Sequence, residues 1–180
     1  VKDTDLGSVA DEISGLNELK EKIESASFSA ALNYVQVGAY KTSSSDIHFQ
    51  PEESHVVVRF RVDGVLRPIF NIEHKTYDGI IKEIKYLSHL KLNITDVPQD
   101  GQYSFKVNEK QINVRVSTLP THYGEATVMR LLDSDRAKIS LEDLGFEGDA
   151  LKHMQEASQL SHGMVLATGP TGSGKTTTLY

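Results

Sequence analysis

The sequence has no cysteine, no tryptophan and only five prolines in 180 residues. It also lacks an apolar run of membrane-spanning length, a signal peptide and any low-complexity tract. Without cysteine there are no disulfides and no thiolate metal sites. Without a long apolar run or a signal peptide, the expected location is cytoplasmic. What remains is a globular composition, 38% hydrophobic and 24% charged. The formal charge of −6 argues against a general nucleic-acid binder, so no direct nucleic-acid partner is expected.

The densest signal lies between Gly163 and Tyr180. Gly169, Pro170, Thr171, Gly172, Ser173, Gly174, Lys175 and Thr176 fit G-x-x-x-x-G-K-[ST], the loop that cradles the phosphates of ATP or GTP, and Thr177 extends the candidate binding set. Backbone N–H groups can wrap a polyphosphate only where the chain approaches closely and turns through conformations that side chains forbid, hence the glycines. Lys175 supplies a mobile charge for the β- and γ-phosphates, and the Thr176 hydroxyl is the expected Mg²⁺ ligand. The apolar run Met164 to Ala167 predicts a parallel strand before the loop, and Gly174 to Tyr180 a helix whose N-terminus faces the anion.

Earlier segments predict a small mixed α+β domain, roughly residues 16 to 135, followed by the first strand of an α/β nucleotide-binding domain. Residues 1 to 15 read as a polar tail or short turn. Leu16, Leu19, Ile23 and Ala26 have helical spacing, as do Phe28, Ala31, Leu32, Val35 and Ala39 behind Ser27, a good N-cap. Strands are expected over His55–Val62 and Val65–Phe70 around the hairpin signal Asp63-Gly64, then a helix over His74–Leu92. Asp100-Gly101 opens a second sheet unit with strands around Tyr103–Val107, Ile112–Val116 and Ala126–Leu132, and Glu147–Leu160 reads as a helix.

Several polar residues have two readings. Arg59 and Arg61 share one strand face, and either meet an interdomain cleft or neighbouring subunit or form a solvated surface. Arg130 either touches a ligand or pairs with Asp133 or Glu125. His48, alternating with Asp46, is read as structural, because no metal-ligand spacing accompanies it. Glu52 and Glu53 read as a solvated turn.

Taken in order, the segments Ser45–Pro51, Arg59–Gly64, Pro98–Gly101, Val114–Pro120, Gly124-Glu125, Val128–Asp133 and Leu141–Phe146 resemble those of secretion ATPases. That family powers type II secretion and type IV pilus assembly and includes the competence ATPases. The resemblance covers about residues 28 to 180. It implies a PAS-like N-terminal domain (28–135) after an N-terminal tail and helix (1–27), a linker (136–146) and the start of a RecA-like P-loop ATPase domain (147–180). It further implies a cytoplasmic homo-hexamer docked on an inner-membrane platform protein, with ATP and Mg²⁺ as cofactors and domain rotation as the work stroke.

Arg115 matches a family arginine that reaches the nucleotide phosphates, so Lys175 and Arg115 are the candidate catalytic residues. At Gln102 the family commonly has arginine, which removes one charge from that set. The chain opens without methionine and stops a turn or two after Lys175, so the expectation is a fragment holding half an ATP site, inactive alone. A non-hydrolysing nucleotide-sensing adaptor is the alternative reading.

Overall fold

The structure, a computed structural model, describes residues 6–11, 16–108, 110–133, 140–169 and 175–179. It divides into two units, Val1–Asp133 and Ser134–Tyr180.

The first unit opens with helices α1 (Gly7–Asp11), α2 (Leu16–Ser25) and α3 (Phe28–Lys41). Ser27 caps α3 as its sequence predicts, its side chain accepting from the Ala30 N–H at 3.4 Å. The described residues 6–11 do more than a polar tail would: Leu6 and Ala10 are buried in the core. Leu19 and Ile23 on α2 are completely buried, each worth on the order of 2 kcal/mol. Phe28 departs from its predicted stripe. It remains 46% exposed and lies over Gly79, where an added Cβ would run into its ring.

Strands β1 (Asp46–Pro51), β2 (Val56–Val62) and β3 (Val65–Ile72) follow, then helix α4 (His74–Leu87) and strands β4 (Gln99–Val107), β5 (Lys110–Thr121) and β6 (Gly124–Asp133). The β2–β3 turn has φ of 50° at Asp63 and 79° at Gly64, the two left-handed residues that the Asp-Gly signal calls for. α4 stops at Leu87, short of the predicted Leu92, because His89 turns left-handed at φ 58° and the Leu90 N–H closes on the Lys85 carbonyl at 2.8 Å.

All six strands lie in one antiparallel sheet, ordered β3-β2-β1-β6-β5-β4, and not in two units. The pairing of β1 with β6 joins the two hairpin sets, a contact of long sequence range that local patterning does not reveal. One sheet face carries Phe49, Val58, Phe60, Phe105, Val114, Val116 and Met129 against the helices. Phe49 stacks on Tyr77 of α4 with ring centroids 5.3 Å apart. The opposite face is polar. β3 is an edge strand carrying the exposed Pro68, with a register irregularity at Val58/Arg59 beside it. At the β4 edge the Leu6 N–H, just before α1, donates to the Lys106 carbonyl at 2.7 Å.

The second unit contains α5 (Gly148–Gln159) and α6 (Lys175–Leu179). Residues Met164 to Ala167, predicted as a strand, form no ladder among the described residues, and Met164 is 90% and Leu166 79% exposed. A buried parallel strand exists only through hydrogen bonds to neighbouring strands, and none of the described residues supplies one.

Candidate functional site

The second unit brings the two ends of the phosphate-loop motif together. Gly169 has φ 151°, which a residue with a Cβ rarely adopts. Lys175 opens α6, and its Nζ donates to the Gly169 carbonyl at 2.7 Å. The lysine ammonium is thereby tied to the first residue of the motif. Pro170, Thr171, Gly172, Ser173 and Gly174 lie outside the described residues, and of Thr176 only the helical backbone is described. Thr177 is exposed on α6. Spacing, glycine conformation and lysine position fit a polyphosphate.

In the first unit the register of the sheet lines up one row of side chains on the polar face. Gln102 pairs with Arg115, Arg115 with Arg130, Arg130 with Asp46, and Asp46 with Arg61. Directly opposed residues of antiparallel strands point to the same face, with Cβ atoms about 5 Å apart. Asp46 is almost completely buried in this row. It receives Arg61 Nε on Oδ2 at 3.1 Å and Arg130 Nε on Oδ1 at 2.9 Å, while Ser45 Oγ donates to Oδ2 at 2.8 Å. Burial works against its charge. The hydrogen bonds from Arg130 and Ser45 and the charges of both arginines outweigh that and hold the carboxyl below its ordinary value.

The structure thus separates the predicted arginines. Arg130 pairs not with Glu125 but with Asp46, which sequence reading passed over as a partner, while the Asp133 side chain lies outside the described residues. Arg61 shares that carboxylate and also donates to the Gly64 carbonyl at 3.1 Å. Arg59 lies 3.7 Å from Glu52, and its Nε is buried without a hydrogen-bond partner among the described residues, as is His48 Nε2 on the adjoining strand. Burial holds the His48 pKa below its ordinary value, with the three nearby arginines adding to the effect against Asp46. Arg115 is exposed and makes no side-chain hydrogen bond or ion pair among the described residues. It lines a cleft of about 540 Å³ with His89, Gln102, Ser104, Asn113 and Leu132.

A buried pair supports this face from behind. Lys85 Nζ donates to Glu125 Oε2 at 2.6 Å and to the Ile94 carbonyl at 2.7 Å. Tyr77 OH donates to the Glu125 carbonyl at 2.7 Å. α4, the segment leading to β4 and the start of β6 are tied at one point. Helical spacing places Lys85 beside Ile81 and Ile84, but a lysine in a helix gives no sign of burial until a carboxylate 40 residues away is known to meet it.

Comparison with known proteins bears on what this arrangement serves. Residues 21–180 match the family described as Type II/IV secretion system protein. The chain is 39% identical over 176 residues to the Type II secretion system protein E of Pseudomonas aeruginosa, covering 98% of this chain and 35% of that protein. It is 37% identical over 176 residues to the Type II secretion system ATPase E of Vibrio cholerae, with the same 98% and 35% coverage. The chain therefore spans about a third of the length of these curated relatives.

Among solved structures, the pilus retraction motor PilT with bound ADP matches with a TM-score of 0.54 at 23% identity, over 82% of this chain and 40% of that one. The Legionella pneumophila ATPase DotB matches with a TM-score of 0.50 at 20% identity, over the same shares. At those identities the two structures speak for the fold alone. The family match over most of the chain, with whole-chain identities near 39% to curated members, leads to one assignment: this chain belongs to the Type II/IV secretion system protein family.

Proposed function

We propose that the chain is the nucleotide-binding part of a secretion-motor ATPase that drives type II secretion or type IV pilus assembly. The observation that carries the reading is the phosphate-loop motif in the sequence, whose first and seventh residues meet where Lys175 Nζ donates to the Gly169 carbonyl at the start of α6. The first unit is read as a PAS-like domain over residues 28–135, followed by a linker over 136–146, and the second as the start of a RecA-like domain over residues 147–180. Hydrolysis is assigned to the longer protein, and this chain alone is read as inactive.

ATP is the expected nucleotide. Gly169 to Thr177 would wrap its phosphates, Lys175 would bind the β- and γ-phosphates, and Thr176 would ligate Mg²⁺. Mg²⁺ supplies charge neutralisation to the phosphates when bound. Arg115 would add a bidentate, permanently charged donor to the transferring phosphoryl group. A homo-hexamer on an inner-membrane platform protein, worked by domain rotation on the cytoplasmic side, completes the reading. Among the described residues no helix is long and apolar enough to cross a membrane.

The test is binding and turnover of ATP with Mg²⁺. Lys175→Ala is expected to weaken ATP binding by this chain by about tenfold or more, the worth of a charge-assisted contact. Unchanged affinity would overturn the assignment. In a chain extended to the relatives' length, Arg115→Ala is expected to leave binding within about threefold and to lower turnover by about 10³, as for other arginines that act on a transferring phosphoryl group.

A further inference from the structure

Two arginines placed directly opposite each other on neighbouring strands repel, and a sheet bears that arrangement only at a cost. Arg115 and Arg130 are such a pair. The one carboxylate in their row, Asp46, is shared between Arg61 and Arg130, and it takes only the Nε of each. Among the described residues the two terminal nitrogens of Arg130 make no hydrogen bond, and its side chain is 62% exposed. Arg115 beside it has no side-chain partner among the described residues. On the far side of Arg115 stands Gln102, which can donate hydrogen bonds but brings no compensating charge.

We propose that Arg115 and Arg130 form one two-guanidinium site for a phosphate oxyanion, with Asp46 as the positioning residue that sets Arg130 through its Nε. The chemistry suits a tetrahedral anion. Two planar forks side by side on a rigid sheet offer paired N–H donors, and the anion relieves their mutual repulsion as it binds. Because Asp46 is buried and also anchored by Ser45 and Arg61, Arg130 is held in place before the ligand arrives. The inference rests on the reading that nucleotide phosphates reach Arg115, and names Arg130 as the second cation there. Gln102 acts as a neutral hydrogen-bonding neighbour.

The site lies wholly in the first unit, so it can be tested apart from the phosphate loop. The probe is inorganic pyrophosphate, titrated into the full chain carrying Lys175→Ala, with the arginine Nε–Hε resonances followed by NMR. The Arg115 and Arg130 signals are expected to move together with one dissociation constant. Movement of Arg115 alone, or of neither, overturns the proposal.

Affinity measurements on variants supply the second readout. Arg130→Gln is expected to weaken pyrophosphate binding about tenfold, and Arg130→Lys to restore only part of the loss. Asp46→Asn distinguishes positioning from a mere basic patch. It removes a negative charge, so a patch would bind pyrophosphate more tightly, whereas loss of the Nε anchor is expected to weaken binding a few-fold. Tighter binding overturns the role of Asp46. Loss of ATP binding on Lys175→Ala with no pyrophosphate response at either arginine would sink this inference while leaving the phosphate-loop reading standing. An unaffected ATP affinity would sink the reading beneath it.

Discussion

Asp46 and His48 occupy alternate positions of β1 on the same polar face; burial lowers the pKa of His48, with the arginines adding to it, whereas at Asp46 the arginines and Ser45 outweigh burial. The depressed pKa of Asp46 makes its contribution to stability complete above the ordinary carboxylate range and lost as pH falls through the lower folded value. His48 is also depressed. It stays neutral in the fold at pH values where the unfolded chain already binds a proton, so stability falls as pH drops below about 6.5 toward the folded value. Replacing His48 with Gln is expected to flatten the pH dependence of urea unfolding just below about pH 6.5, and an unchanged slope there would argue against a lowered pKa. Asp46→Asn is expected to cost about 2 kcal/mol at neutral pH, by leaving two arginines short of a hydrogen-bonded charge. The residues of this row were legible as types but not as partners. Arg130 has acidic residues close by in sequence, yet its partner lies 84 positions away, and only the pairing of β1 with β6 brings them together.

At the scale of elements, the meeting of α4 with β4 shows how a sequence motif can serve geometry before chemistry. A Cβ on Gly101 would lie 2.5 Å from the Ser88 carbonyl oxygen and 2.8 Å from Leu90 Cδ2. The first of these is backbone at the end of a helix, which cannot swing aside. Gly101→Ala is therefore expected to destabilise the chain by about 2 kcal/mol in urea unfolding and to displace the start of β4, where Gln102 lines the cleft beside Arg115. A stability within about 0.5 kcal/mol of the parent would show that the helix end yields. Alternation and helical spacing made most of these elements readable, since the strands bury one face and α4 one stripe. Two features escaped. The left-handed turn at His89 ends α4 early with no glycine or proline to announce it. Leu6 and Ala10 gave too few apolar positions in a polar stretch to show that the segment joins the core.

For the whole molecule, burial is divided unevenly. The contiguous core runs through residues 6 to 129 and includes no described residue of the second unit. In that unit Leu160, Met164 and Leu166 are each more than two-thirds exposed. Residues 1–133 expressed alone are therefore expected to unfold in a single cooperative transition by calorimetry, and residues 134–180 alone to show none. A cooperative transition in the shorter piece would mean that it carries a core of its own. The phosphate-loop motif was the easiest feature to read in sequence because its chemistry is local, whereas the run before it needs strand partners that no short window can display.

The two borders of the sheet bear on how such molecules can assemble. On β3, Pro68 has no N–H to give and the neighbouring register is irregular. On β4, a carbonyl is already taken by the segment before α1. Neither border presents an unbroken ladder to a strand from another molecule. Any association between copies of this chain would then run through side-chain surfaces, and the sheet resists the strand-by-strand growth that turns exposed borders into fibrils.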